Sequence, residues 1–168
     1  MKEVMLELAT YNFWANKKIT DSILLLSDEK QRQELPSSFK SIFQTTFHIW
    51  DAESIWWQRM KLSERIIIPS ENQEGKMSDV VNGLLQQSQQ WQDWVATASD
   101  IALGHVVQYH NSKKEYFKQP VFQILTHVFN HGTYHRGQLV NIFRQLRVEK
   151  IPQTDFIVFS RNRKKSVL

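Results

Sequence analysis

From Pro120 to Leu146 the apolar residues Ile124, Val128, Leu139, Ile142 and Leu146 recur at helical spacing, with no internal Pro to interrupt them. A stripe of that kind is one face of a long helix that must bury itself against other helices. Three further segments carry the same period. Residues 2–26 place Val4, Leu8, Tyr11, Ala15, Ile19 and Leu26 on one side, with Ser27 and Asp28 as a turn. Pro36, Ser37 and Ser38 give a stop and an N-cap for an aromatic-rich helix running to Met60. Ser78 and Asp79 open a third segment with Val81, Leu84, Leu85, Trp91, Trp94 and Val95, reaching Ser99.

Four amphipathic helices in a chain of 168 residues predict an all-α fold, a four-helix bundle in a single domain over residues 1–160. The connections are uneven. Residues 63–76, with Pro69, Gly75 and the run Ile66–Ile68, read as a long link, and residues 105–118 alternate around Asn111–Ser112 as a short hairpin. The crossover before the last helix is therefore expected to be long and partly extended, and Phe156–Phe159 to pack as an extended tail. The six tryptophans fall at helical spacing, as core residues would.

The basic balance, 21 Lys and Arg against 17 Asp and Glu, is carried by the end of the chain. Residues 161–168 hold four basic and no acidic side chains, leaving 17 of each sign elsewhere. The excess reads as a solvated tail rather than a nucleic-acid surface. No stretch has the apolar length of a membrane span or the apolar region of a signal peptide, so a cytoplasmic protein with neither nucleic-acid nor membrane partner is expected. Cys is absent, which removes disulfides and thiolate chemistry of the protein's own and leaves the six histidines to carry any metal or nucleophilic chemistry.

Three of those six, His127, His131 and His135, follow one another at intervals of four on the last helix. Neighbours in such a series share a face and can aim their rings at one ion. On the helical wheel His135 lies inside the apolar stripe, His131 at its edge and His127 largely outside. An imidazole entering an apolar interior needs a partner, and metal ligation supplies one. His131 and His135 are thus the expected ligand pair, with His127 peripheral. The expected third ligand is His48, midway along the second helix with Ser41, Thr45, Ala52 and Ile55 on its face and Phe39, Phe43, Trp50, Trp57 and Met60 opposite. Three neutral imidazoles leave a coordination position open, which favours catalysis or ligand binding over a purely structural ion. They suit zinc, nickel, copper or ferrous iron. Asp51, Glu53 and Asn130 are placed to orient the ligand rings. Arg136, with Asn130 and Tyr134, is placed either to orient an acidic substrate or simply at the helix surface.

The phrase His127–Val–Phe–Asn–His131–Gly–Thr–Tyr–His135–Arg136–Gly137–Gln138 resembles the DinB family. So do Tyr11–Asn–Phe–Trp14–Ala15–Asn16, the segment from Ser41 through His48 to Glu53, and Pro152–Gln–Thr–Asp155. The resemblance spans nearly the whole chain. It implies a DinB/YfiT-like four-helix bundle, often a homodimer, with a divalent metal on His48, His131 and His135. The wider superfamily includes S-transferases that use low-molecular-weight thiols. The expected activity is accordingly a metal-dependent thiol S-transferase or hydrolase acting on a small molecule; the alternative is a non-catalytic metal-binding stress-response or interaction protein.

Overall fold

The computed structural model describes residues 1–72 and 75–165. Four long helices form the body: α1 (Lys2–Ile23), α3 (Ile42–Met60), α4 (Met77–Thr97) and α6 (Val121–Gln145). Shorter elements join them: α2 (Asp28–Arg32), a 3-10 turn at Pro69–Asn72, α5 (Asp100–Gly104) and the antiparallel hairpin β1 (Val106–His110) and β2 (Tyr116–Pro120), in which Val106 pairs with Pro120 and His110 with Tyr116. Helix α7 (Phe156–Lys165) follows.

Helices α1 and α3 each pack against both α4 and α6, so the order around the bundle is α1, α4, α3, α6. Two apolar clusters give the directions. One gathers Ile19 and Ile23 of α1, Ile42 to Ile49 of α3, Met77 to Leu84 of α4, and Leu139 to Leu146 at the end of α6. The other gathers Met5, Ala9, Met60, Trp91, Val95 and the start of α6 from Val121 to Phe129. Helices α1 and α6 therefore run together in one direction, and α3 and α4 together in the other. The step from α3 to α4 joins parallel neighbours, so residues 61–76 must return the length of a helix of about 28 Å. The long links expected from the sequence are a consequence of this topology.

Between the two clusters lies a polar layer. Asn12, Asn16, Glu53, Ser88 and Arg136, from all four long helices, are each no more than 2% exposed. The Arg136 guanidinium donates to Asn12 Oδ1 and Asn16 Oδ1, both at 2.8 Å, and to Thr133 Oγ1 at 2.8 Å. Asn12 and Asn16 pass the chain on, donating through Nδ2 to Glu53 Oε1 at 2.8 and 2.9 Å. Ser88 donates to Glu53 Oε2 at 2.8 Å and accepts from Asn16 at 2.9 Å. A Cβ at position 132 would lie 2.9 Å from both Arg136 Nη1 and Asn12 Oδ1, so only glycine leaves room for the guanidinium to cross α6 towards α1.

Several expectations need correction. Helix α1 ends at Ile23, and its buried face runs through Met5, Ala9, Asn12, Asn16, Ile19 and Ile23 while Val4 is exposed. The buried polar residues rotate the true interior face away from the apolar count. Helix α3 starts at Ile42 rather than Ser38, because Ser41 Oγ accepts from Gln44 N at 3.2 Å and caps it there. Phe156–Phe159 are helical, not extended: Phe156 and Phe159, three apart, both pack on the Tyr11 ring at 5.2 and 5.7 Å. Arg161 continues that helix, and residues 166–168 of the expected basic tail lie outside the described residues. Arg136 is buried rather than at the surface. Of the six tryptophans only Trp91 is fully buried, donating to Glu53 O at 3.3 Å. Among the described residues no helix is long and apolar enough to cross a membrane.

Glu53→Ala is expected to lower stability by about 3–5 kcal/mol, since it strands a buried guanidinium and three buried donors. Glu53→Gln, which keeps an acceptor, is expected to lose less; urea unfolding followed by circular dichroism distinguishes the two.

Candidate metal centre

Helix α6 packs antiparallel to α3, which sets His131 and His135 opposite His48. The two helices bring the nitrogens together: His131 Nε2 lies 3.1 Å from His48 Nε2 and 3.1 Å from His135 Nε2. The three ligand atoms lie within 4.8 Å of one another, the spacing of donors around one small cation. His135 is buried, as its place in the apolar stripe predicts; His48 and His131 are half-buried at the edge of the α3–α6 seam. Tetrahedral zinc with Zn–N near 2.0–2.1 Å needs nitrogens about 3.3 Å apart, so the observed spacing fits such an ion with little adjustment.

The protonation states suit ligands. Burial, reinforced by the neighbouring histidines His135, His48 and His127, pushes the His131 pKa down to about 3. Burial and His135 push His48 down to about 4. Burial lowers His135 as well, against an opposing hydrogen bond from Gln138. All three rings are neutral at pH 7 and present lone pairs. Gln138 Oε1 lies 2.8 Å from His135 Nδ1, and Gln138 Nε2 donates to Ser38 Oγ at 3.3 Å. With its amide oxygen facing the ring, Gln138 accepts from Nδ1–H and leaves the Nε2 lone pair free for the centre.

The connection between α2 and α3 covers the site. Phe39 stacks on His48 with ring centroids 4.0 Å apart and meets His135 edge-on at 5.6 Å. Because α3 begins after it, Phe39 lies over His48 rather than on the opposite face. Beside His48 is a cavity of about 310 Å³ lined by Phe39, Phe43, Gln44, Phe47, Asp51 and Ser70.

The expected orienting residues separate. Asp51 accepts from Ser70 N at 2.9 Å in that cavity, and burial raises its pKa. Glu53 belongs to the interior polar layer and Asn130 is exposed. Exposed His127 stays outside the cluster, its ring 5.8 Å from that of His131 and edge-on to Trp56 at 5.0 Å. Gln138 and Phe39 do the orienting instead. Gln138 stands three residues after His135 on the same helix, a spacing at which side chains meet, so that contact was readable; Phe39 was hidden by the helix boundary.

The fold and this cluster define a class: four-helix-bundle proteins with three histidines converging between two antiparallel helices. The chain belongs to the DinB family, whose family model matches residues 1–164. It is 29% identical over 163 residues to Protein DinB of Bacillus subtilis (strain 168), covering 93% of each chain. Among solved structures it is similar to YfiT from Bacillus subtilis, a probable metal-dependent hydrolase with an unusual four-helix bundle topology, with a TM-score of 0.70 at 16% identity over 87% of this chain and 89% of that one. It is also similar to a DinB-like protein from Bacillus cereus ATCC 10987, with a TM-score of 0.65 at 18% identity over 90% and 95% of the two chains.

The histidine pKa values predict an acid-sensitive metal-free protein. Unfolded histidines protonate near 6.5 but folded His48 and His131 only near 4 and 3, so the unfolded chain takes up protons first. Their contribution is complete above pH 6.5 and is lost as pH falls towards 3. Urea midpoints of the metal-free wild type are expected to drop from pH 6.5 to 5 more steeply than those of His48→Gln/His131→Gln; parallel profiles would contradict the shifts.

Proposed function

We propose that the chain binds one divalent metal ion through His48, His131 and His135 and is a metal-dependent enzyme acting on a small molecule, of hydrolase or thiol S-transferase type. The convergence of three neutral imidazole nitrogens from two helices carries this reading. An ion held by three imidazoles supplies an open position at which water or a small thiol is deprotonated near neutral pH. The likeness to YfiT, a probable metal-dependent hydrolase, supports the hydrolytic form. The absence of Cys accords with a low-molecular-weight thiol as cosubstrate.

The chain's own residues divide the remaining work. Gln138 holds the His135 tautomer and Phe39 keeps bulk water from one face of His48. The adjoining cavity offers apolar walls from Phe39, Phe43 and Phe47 for a substrate's apolar part, with the Asp51 carboxylate as a hydrogen-bond acceptor. Its aromatic lining suits a small organic electrophile or ester better than a highly polar sugar.

Elemental analysis of the purified protein is expected to find about one divalent ion per chain, and His48→Ala or His135→Ala to lose it with helicity retained. Unchanged metal content in both variants overturns the site. Gln138→Ala is expected to weaken metal affinity by about 10–100-fold, measured by chelator competition. Turnover of esters alone marks a hydrolase, and turnover only with an added thiol marks a transferase. Metal binding without turnover in a broad screen favours a non-catalytic metal-binding protein.

A further inference from the structure

Towards the C-terminal end of α3, about three helical turns from His48, Arg59 lies in an aromatic clamp. Its guanidinium carbon is 4.8 Å from the Trp56 ring centroid and 5.5 Å from that of Tyr109 on β1. Trp56 and Tyr109 meet edge-on at 5.1 Å, and Tyr109 stacks on Phe117 at 5.9 Å, so the hairpin holds the clamp from one side. Among the described residues no hydrogen bond or ion pair uses this guanidinium, and its Nε is sealed from solvent without a partner. Buried Arg136, unlike half-buried Arg59, spends its Nη donors on two asparagines and a threonine. Arg59 also lines a cleft of about 310 Å³ between the loop after α3 and the hairpin, with Ser63, Gln108, Tyr109 and His110 on its walls. Glu64 lines the same cleft but forms no ion pair with it.

A guanidinium packed against two aromatic rings has its planar donor fork restrained while its charge goes unneutralised. A fork of that kind matches the two oxygens of a carboxylate or phosphate. The neighbouring hydroxyl, amide and imidazole groups can add hydrogen bonds to the same oxygens, while Tyr109 and Ile66 offer apolar surface to the rest of a ligand. We infer that this cleft is a binding site for a small organic anion, bearing a carboxylate or a phosphate, anchored on Arg59 and distinct from the three-histidine centre.

The test is titration of the full-length protein with sodium benzoate and, separately, with methyl phosphate, following the Arg59 Nε–Hε resonance assigned by its loss in Arg59→Lys. A saturable shift is expected, with affinity at least about tenfold weaker in Arg59→Gln read by calorimetry. Benzoate binding the tighter assigns a carboxylate, and methyl phosphate the tighter a phosphate. His48→Ala is expected to bind the anion like wild type, so this result stands or falls apart from the metal reading. No saturable shift up to about 10 mM of either probe, well above the affinity of a built site, overturns the inference. Equal binding by a folded Arg59→Gln also overturns it. The wild-type titration reads Arg59 directly and decides the matter even where Arg59→Gln fails to fold.

Discussion

Two buried charges of opposite sign, Arg136 and Glu53, are joined through Asn12 and Asn16 rather than touching, and the arrangement of the bundle follows from that link. Each asparagine is used in both senses, accepting from the guanidinium through Oδ1 and donating to the carboxylate through Nδ2. Reversing either amide would set donor against donor and acceptor against acceptor. Apolar packing above and below the layer tolerates small slides and rotations. The polar layer tolerates neither, because a slip on any helix would leave a charge or amide unpaired in the dry interior. Burial raises the Glu53 pKa and lowers that of Arg136, each opposed by the other's charge and the hydrogen bonds around it. The layer is thus costly alone and stable only when complete, which is how an interaction specifies one register.

The topology explains why so much of the chemistry lies on connections. Parallel neighbours α3 and α4 need a return segment, and the diagonal steps from α1 to α3 and from α4 to α6 need crossings. The first crossing brings Ser38 and Phe39 over the histidines, and the return brings Ser70 to Asp51. The second supplies the hairpin that clamps Arg59. A simple up-and-down bundle with tight turns would have no segment available for any of these roles.

Legibility in the sequence tracked the kind of force involved. The apolar stripe of α6 was plain because Ile124, Val128, Leu139 and Ile142 all point inward, and with it came the ranking of His135, His131 and His127 by depth. His48 was reachable as the histidine of the facing helix. The interior face of α1 was not, since Asn12 and Asn16 are buried by pairing, and their pairing depends on partners 37 to 124 residues away in the chain. For the same reason Glu53 and Arg136 looked like surface or site residues. The α2 turn and the shift of the α3 start from Ser38 to Ser41 were short-range features, and the second of these concealed the stacking of Phe39 on His48.

The polar layer and the histidine centre are consecutive in the chain, and this couples fold to site. His135 and Arg136 point about 100° apart on α6, the first towards α3 and the second towards α1, the two helices that flank it. Fixing the guanidinium between Asn12 and Asn16 therefore also fixes the rotation at which His135, and His131 one turn earlier, face His48. Gly132 serves both directions, since a side chain there would push Arg136 from the asparagines and turn the face that carries His131 and His135. The histidines need such external support because three neutral rings with 3.1 Å nitrogen contacts have no strong attraction of their own to hold them. The histidine cluster is preorganised by a charge network on the other side of the same helix, so damage to that network reaches the three rings as a change of geometry before it reaches them as a change of field.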